Sequence, residues 1–235
     1  MAPEIDPTRL GPPEGAWLTE LRRRRVRRWL PPALRRLVVV APHPSDETLG
    51  AGGLVSLLHR RGWEITVLAL TDGEAAQGGG AGLGERRRSE QAAALECLAP
   101  VALERLSLAD GRLGEVEDLA QLIGPSLCPD TLCVAPWPKD GHPDHEAAGV
   151  AALAAAEARG ATAAFVPIWA WHWQAPGEAD FLGRASIVPL DDLARLRKAA
   201  ALAAYRSQIR PLGREPTLPD HVLTRFSRPF EVLAR

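Results

Sequence analysis

Five side chains that could bind a metal ion lie in two short segments of the sequence. His43 and Asp46 directly follow an apolar run, Leu37 to Ala41, and His142, Asp144 and His145 lie together much later in the chain. Imidazole nitrogens combined with carboxylate oxygens are ligands typical of a catalytic Zn²⁺ or a similar divalent ion. Neither segment is a complete site, so a metal centre requires a fold that brings the two together.

The elements that must position these residues are indicated by apolar runs that alternate with amphipathic stretches. The run from Leu37 to Ala41 is too short and too rich in β-branched residues for a helix, and predicts a buried strand. The predicted strands are 37–41, 64–70, 105–108, 131–135 and 163–171, and the predicted helices are 14–30, 49–61, 85–98, 116–123, 146–159 and 191–210. This alternation predicts an α/β fold, a Rossmann-like three-layer sandwich with a mostly parallel sheet, closed by a small strand or extended segment within 211–235.

The polar turns after the strands should meet at one edge of this sheet, because ligands of open α/β sheets bind beyond the carboxyl ends of the strands. His43 and Asp46 follow the first of these strands, Asp72 and Glu74 the second, and the segment 142–145 follows strand 131–135. The Gly-rich stretch 78–84 comes after the second strand and not the first. It therefore does not fit a dinucleotide-binding fingerprint, and predicts a loop at the rim of a pocket.

Two motifs resemble the signatures of a known family. The segment 42–47, PHPSDE, and the segment 142–145, HPDH, resemble those of the LmbE-like, PIG-L family of zinc-dependent N-deacetylases. Further similar features occur in the same order along the chain: TDGE at 71–74, Arg87 with Glu90, WHW at 171–173, Lys198, and YRSQ at 205–208. The resemblance covers roughly residues 37–208 and implies an N-deacetylase domain.

The resemblance also implies roles for individual residues. It assigns His43, Asp46 and His145 as ligands of Zn²⁺ or another divalent metal, and the substrate as a small N-acetylated amino sugar. It gives His142 the role of stabilising the oxyanion or protonating the leaving amine, and Asp144 that of orienting His142. Arg87 and Glu90 are expected to form an ion pair, with Arg87 as a contact to an anionic substrate group as the alternative.

Ser45 departs from the family pattern. The family has an aspartate here, taken to be the general base, and a serine hydroxyl cannot replace a carboxylate as a proton acceptor near neutral pH. Asp140, Asp144, Asp72 or Glu74 could have taken over the role, the chain could be a weakly active relative, or the serine could be a substitution that traps substrate. We interpret the sequence as a metal-dependent hydrolase that removes an N-acyl group, by resemblance acetyl, from an amino sugar or its conjugate. Two alternatives stay open: a non-catalytic metal- or sugar-binding relative, and a hydrolase of a non-sugar amide or ester.

Tryptophans at 169, 171 and 173 would point to one face if 163–171 continued as a strand. That face would be a core layer or a surface that stacks on a sugar, and His172 would be a wall residue or a substrate contact. His59 and His221 are expected to be ordinary solvated or hydrogen-bonded side chains.

The N-terminal segment, residues 1–35, is predicted to be a Pro-rich arm, 1–13, followed by a basic amphipathic helix, and residues 36–235 to form the deacetylase domain of a single globular unit. Six of the seven residues from Arg22 to Arg28 are arginines, a pattern that could bind RNA or an anionic membrane. The interspersed apolar residues favour instead a helix that lies on the domain with solvated guanidinium groups.

Composition restricts the remaining possibilities. The formal net charge of −1 predicts no general affinity for nucleic acid. No leader peptide and no stable membrane anchor are expected, since no apolar run approaches the roughly 20 residues that span a bilayer. Three cysteines, Cys97, Cys128 and Cys133, are expected to be reduced thiols, which favours a cytoplasmic location, and a homo-oligomer is possible.

Overall fold

The computed structural model describes residues 6–210 and 215–235, the side chain of Gln77 excepted. Strands within these ranges form one eight-stranded sheet in the order β1-β7-β8-β6-β5-β2-β3-β4. The strands are β1 (Arg27–Arg28), β2 (Arg36–Ala41), β3 (Glu64–Thr71), β4 (Ala102–Leu108), β5 (Thr131–Pro136), β6 (Thr162–Val166), β7 (Ala185–Pro189) and β8 (Phe230–Ala234). Only the pairings of β8, with β6 and β7, are antiparallel, so the sheet is mostly parallel as predicted.

The centre of the sheet is the point where the strand order reverses. β2 pairs with β3 on one side and with β5 on the other, with Val39 opposite Val67 and Val134. Residues 37–41 and 131–136 are all buried, which explains why both read as continuous apolar runs. A crevice forms beyond the carboxyl ends of strands at such a switch point, so the turns after β2 and β5 lie side by side.

Helices cover both faces of the sheet, as expected for a three-layer sandwich. The helices are α1 (Glu14–Arg23), α2 (Asp46–His59), α3 (Leu83–Leu98), α4 (Leu119–Ile123), α5 (Pro143–Arg159), α6 (Ala170–Trp173), α7 (Asp192–Ala204), α8 (Arg206–Ile209) and α9 (Asp220–Leu223). The units β2-α2-β3 and β5-α5-β6 run outward in opposite directions from the centre. Right-handed crossovers therefore place α2 and α5 on opposite faces.

Two predicted helices end earlier than expected. The helix predicted over 191–210 is interrupted at Tyr205, whose backbone (φ −78°, ψ 56°) leaves the helical region while its buried hydroxyl donates to Glu47. The basic helix predicted over 14–30 ends at Arg23, and Arg25 adopts a positive φ of 50°. Residues 27–28 then join the edge of the sheet beside β7, so the basic run is not one helical face.

The N-terminal arm is packed onto the domain where it is described. Its first five residues lie outside the described ranges. Arg225 donates to the carbonyl oxygens of Leu10 and Pro12, and Nε2 of His172 lies 3.0 Å from the carbonyl oxygen of Asp6. The described part of the Pro-rich arm, residues 6–13, is therefore held against the domain, and His172 is one of its contacts.

The strand predicted over 163–171 is also corrected. β6 ends at Val166, and the tryptophans lie in a turn and in the short helix α6, in three different environments. Trp171 is buried against Trp17, with ring centroids 4.8 Å apart, whereas Trp173 is 37% exposed and donates through Nε1 to the carbonyl oxygen of Asp140. Trp169 lies at the start of α6 beside the central crevice.

A buried ion pair fixes the middle of α2. Lys198 of α7 and Glu231 of β8 are each 4% exposed, and Lys198 Nζ lies 2.6 Å from Glu231 Oε1. Glu231 also accepts the backbone N–H groups of Gly53 and Leu54, and Lys198 donates to the carbonyl oxygen of Leu49. A Cβ at Gly53 would lie 2.5 Å from Leu190 and 3.0 Å from Glu231 Oε1, so glycine lets these groups approach the helix. The pair therefore holds α2, the helix that begins beside the crevice, in its place.

The change Lys198→Met should destabilise the protein by about 3–5 kcal/mol, because it leaves Glu231 buried and unpaired. Urea unfolding followed by circular dichroism would measure the loss. As a matched control, Arg195→Met removes the cation of an exposed pair with Asp192 and should cost under about 1 kcal/mol. Equal losses for the two variants would contradict a special role for the buried pair.

Candidate metal centre and active site

Three ligand-type atoms converge where β2 and β5 end. His43 lies in the turn after β2, Asp46 begins α2, and His145 lies in the first turn of α5. Asp46 Oδ2 lies 3.3 Å from His43 Nδ1 and 3.2 Å from His145 Nε2, and the two imidazole nitrogens are 3.3 Å apart. A tetrahedral Zn²⁺ with bonds of about 2.0–2.1 Å to such ligands would separate them by about 3.3 Å. The triangle therefore fits one divalent ion.

Carboxylates bind the opposite nitrogen of each imidazole. His43 Nε2 lies 3.1 Å from Asp110 Oδ1 and 3.1 Å from Asp144 Oδ2, and His145 Nδ1 lies 2.8 Å from Asp140 Oδ2. A carboxylate only accepts, so these nitrogens carry the protons and donate them. In the neutral imidazoles, Nδ1 of His43 and Nε2 of His145 then present lone pairs to the shared point, the arrangement that metal-binding histidines usually show.

Asp140 and Asp144 are themselves held by backbone groups. Fully buried Asp140 accepts the N–H groups of Ile168, Trp169 and Ala170, at 2.8 to 3.0 Å. Asp144, also fully buried, accepts those of Gly111 and Leu113, at 2.7 and 3.0 Å. The carboxylate oxygens of Asp140 and Asp144 thus already accept hydrogen bonds, which argues against either residue as the replacement for the general base.

His142 has a different relation to Asp144 from the one expected. Its Nδ1 accepts the backbone N–H of Asp144 at 3.2 Å and caps α5, while the carboxylate of Asp144 binds His43. The expectation that the Asp144 carboxylate orients His142 is therefore corrected. Because Nδ1 is an acceptor, the ring proton lies on Nε2. The ring centroids of His43 and His145 are 4.9 and 4.8 Å away, so His142 adjoins the triangle.

Burial and charge perturb the pKa values of the cluster strongly. Burial alone would lower the pKa of His145, but the Asp46 charge and the hydrogen bond to Asp140 raise it to about 9. The pKa of His43 is also raised, since hydrogen bonds to Asp110, Asp144 and Asp46 outweigh its burial. Burial would raise the pKa of Asp46, but the two histidines hold it far below its ordinary value. Without a cation, protons on the imidazoles thus compensate the carboxylates, and a metal ion would replace them.

His142 shows the opposite shift. Burial, together with the positive charges of His145 and His43, lowers its pKa to about 3. The ring is therefore neutral near pH 7, in agreement with the acceptor role of Nδ1.

Ser45, next to Asp46, occupies a strained position. Its φ is 107° and it is 3% exposed, and a non-glycine residue with such a backbone costs about 1–3 kcal/mol. Its hydroxyl donates to Gln208 Oε1 at 3.1 Å, and Gln208 Nε2 donates to the carbonyl oxygen of Pro44. The hydroxyl proton is thus directed at the carboxamide of α8, and Ser45 still lines the crevice.

An open cleft of about 700 Å³ lies over the triangle. Among its lining residues, the carboxylates are Asp46 and Asp110. Asp72 instead binds Arg88, at 3.1 Å, and Glu74 accepts the backbone N–H of Asp110, so neither of these two candidates for the base lines the cleft. The other lining residues are His43, Ser45, Leu49, Ala75, Ala76, Arg87, Gly111, His142, Trp169, Gln208, Thr217 and Leu218.

Arg87 and Glu90 do not form the expected ion pair. The guanidinium of Arg87 is 4% exposed and donates to the carbonyl oxygen of Gly73, whereas Glu90 accepts the N–H and hydroxyl of Ser207. Nε of Arg87 has no partner among the described residues, and Arg87 lines the cleft. Burial lowers the pKa of Arg87.

Sequence reasoning missed Asp110 at the cleft, and it singled out Gln208 within the segment 205–208 without giving it a role. Asp110 follows β4, so the rule that singled out the turns after other strands could have found it. The contact of Gln208 with Ser45 could not be predicted, because it depends on the break between α7 and α8.

The sheet and the His/Asp/His group define an α/β protein with a candidate metal centre at its topological switch point. The profile of the PIG-L family, described as GlcNAc-PI de-N-acetylase, matches residues 38–156, just over half of the 235 residues. The chain therefore belongs to the PIG-L family, which confirms the resemblance of its motifs.

Individual relatives agree with this assignment. Diacetylchitobiose deacetylase from Thermococcus kodakarensis is 30% identical over 130 residues, 49% of this chain and 47% of that enzyme. The match thus spans about half the length of that curated relative. A conserved protein from Thermus thermophilus superposes with a TM-score of 0.58 and 31% identity, covering 74% of this chain and 80% of the other. N,N'-diacetylchitobiose deacetylase from Pyrococcus horikoshii, with a TM-score of 0.59, 20% identity and coverage of 82% and 74%, supports the fold alone.

The metal-free protein should bind one Zn²⁺ per chain. Replacing a residue that only hydrogen-bonds a metal ligand typically lowers metal affinity roughly 10- to 100-fold, and Asp46→Ala, which removes a ligand, should lower the zinc affinity by more than this. Metal analysis after equilibrium dialysis would measure stoichiometry and affinity. His59→Ala, at the other end of α2, is the matched control and should leave uptake unchanged. Stoichiometric zinc with full affinity in Asp46→Ala would contradict the assignment.

Proposed function

We propose that this protein is a zinc-dependent N-deacetylase that acts on an N-acetylated amino sugar or its conjugate. His43, Asp46 and His145 would hold the metal, and the cleft above them would receive the acetamido group. The proposal is carried by one observation: three ligand-type atoms lie 3.2 to 3.3 Å apart, and two of the residues that provide them, His43 and Asp46, line a cleft.

The donor set suits a catalytic rather than a structural ion. Two imidazoles and one carboxylate leave a coordination position open, as catalytic zinc sites do. When bound, the metal would supply a lowered pKa for its water and polarisation of the amide carbonyl. Asp140 and Asp144 would keep the imidazoles in the required tautomers, because each accepts a proton from the nitrogen opposite the metal.

His142 would act on the carbonyl oxygen of the substrate. With Nδ1 occupied by the N–H of Asp144, its Nε2–H is the available donor. A neutral donor that lines the cleft could stabilise the negative charge that develops on this oxygen. Removal of one such donor costs about 100- to 1,000-fold in rate.

The remaining walls suit a small polar substrate. The cleft is open to solvent and is lined by both polar and apolar side chains. Arg87 and Asp110 offer a donor and an acceptor, and Trp169 and Leu218 provide apolar surface. The deacetylase from Thermococcus kodakarensis is named for a chitin disaccharide, which makes that sugar and N-acetylglucosamine reasonable first substrates.

Ser45 supports a second candidate function, a metal- or sugar-binding protein with little or no turnover. Its hydroxyl is no base, and no carboxylate lining the cleft is free of other partners, since Asp46 faces the histidines and Asp110 accepts from the N–H of Ala75. Loss of a positioned base typically costs about 100- to 10,000-fold. The two functions differ in turnover and not in binding.

We expect acetate release from N,N'-diacetylchitobiose or N-acetylglucosamine by the zinc-loaded protein, abolished by a chelator and restored by added Zn²⁺. An enzymatic acetate assay, with sugar binding followed by calorimetry, separates the two candidates. Binding without release would favour the non-catalytic function, and neither binding nor release would contradict both. Release from a simple aryl ester but not from the sugars would point to a different hydrolase.

The change Ser45→Asp should raise kcat by about 100- to 10,000-fold, because it places a carboxylate beside the metal position. Ser45→Asn is the matched control, since asparagine has a similar shape, tolerates positive φ and is not a base. Zinc affinity should be the same in both variants. If asparagine raises kcat as much as aspartate, the missing carboxylate is not what limits the rate.

A further inference from the structure

The basic run of the sequence forms the edge of the sheet that lies at β1. After α1 ends, the chain turns at Arg25 and enters β1, where Arg27 and Arg28 pair with Ser186 and Ile187 of β7. These arginines are therefore presented at the margin of the fold, on a backbone that the sheet fixes.

Most of these arginines have no anionic partner. Glu20 binds Arg23 and Arg24, at 2.7 and 2.6 Å. The remaining arginines of the run are exposed and form no ion pair within 4.0 Å among residues 6–210 and 215–235: Arg22, Arg25, Arg27 and Arg28. This leaves a concentration of positive charge on a protein whose formal net charge is −1.

An apolar groove adjoins these charges. It has a volume of about 690 Å³ and lies between the middle of α2, the end of β7 and residues 28–31. Its walls are mostly apolar and include Leu30, Leu54 and Leu57, and Arg28 and Arg61 also line it.

The groove is not closed by the chain itself. Leu30 lines the groove and is 74% exposed. An exposed leucine beside arginines without an anionic partner indicates a partner that brings apolar groups together with anionic oxygens.

We propose that this edge is a docking surface for an anionic lipid bilayer. Arg25, Arg27 and Arg28 face the lipid phosphates, Leu30 enters the interface, and the groove accepts part of an acyl chain. RNA would satisfy the arginines but not the groove, and its bases would find no exposed aromatic platform here because Trp29 is buried.

The strength of such docking is moderate and reversible. No helix in the described part of the chain is long and apolar enough to cross a membrane. Each arginine near an anionic surface contributes about fivefold to the partition coefficient, and salt screens this contribution. Asp191 is an acidic group close enough to Arg61 for their charges to interact. It already forms an ion pair with Arg60 and therefore does not neutralise the arginines at this edge.

Vesicle co-sedimentation with the full chain tests the proposal. The protein should bind vesicles with about 30% phosphatidylglycerol in phosphatidylcholine, bind pure phosphatidylcholine at least tenfold more weakly, and lose affinity as salt rises above about 0.1 M. Binding should fall about fivefold for each arginine replaced in Arg25→Ser, Arg27→Ser and Arg28→Ser, and about tenfold for Leu30→Ser.

Matched variants elsewhere provide the controls. Leu196→Ser removes a leucine that is 68% exposed on α7, and Arg195→Ser removes a nearby arginine, and neither should change vesicle binding. Circular dichroism checks that every variant is folded. Equal losses in the control variants or equal binding to neutral vesicles would overturn the proposal. So would a protein that binds RNA but not vesicles, or one that binds monomeric laurate but not vesicles.

Discussion

The geometry of the site depends on buried carboxylates that fix two imidazoles. Asp140 and Asp144 are held by backbone N–H groups from other segments, and each in turn accepts a proton from one histidine of the triangle. Such carboxylates cannot rotate away without leaving several buried donors unpaired, each of which would cost about 1–3 kcal/mol. The lone pairs of His43 and His145 are therefore directed at the point that they share with Asp46 by the fold as a whole and not by the local turns.

Much of this arrangement was predictable because the physical signals were local. The buried runs at 37–41 and 131–135 predicted central strands, and the rule on the carboxyl ends of parallel strands brought their turns together. The family resemblance pointed to the same two turns.

The errors arose where distant groups override local patterns. The run 163–171 was predicted to be a strand, but the carboxylate of Asp140 binds three successive N–H groups, those of Ile168, Trp169 and Ala170, and so turns the chain into α6. Arg87 and Glu90 have the spacing of an ion pair, but Gly73 and Ser207 offer each a better-placed partner. The basic helix ended early because β7 provides backbone partners for residues 27–28. None of these partners is near in sequence.

The shared use of Asp140 has a consequence for how the protein can change in evolution. One side chain orients His145 and also shapes the turn that carries Trp169, a residue of the cleft wall. A lineage that acquires a new sugar preference by rebuilding this wall must therefore keep the carboxylate in place. Asp110 is restrained in the same way, because it binds His43 and also accepts the N–H of Ala75. Variation in specificity should accumulate instead near Leu218, which also lines the cleft.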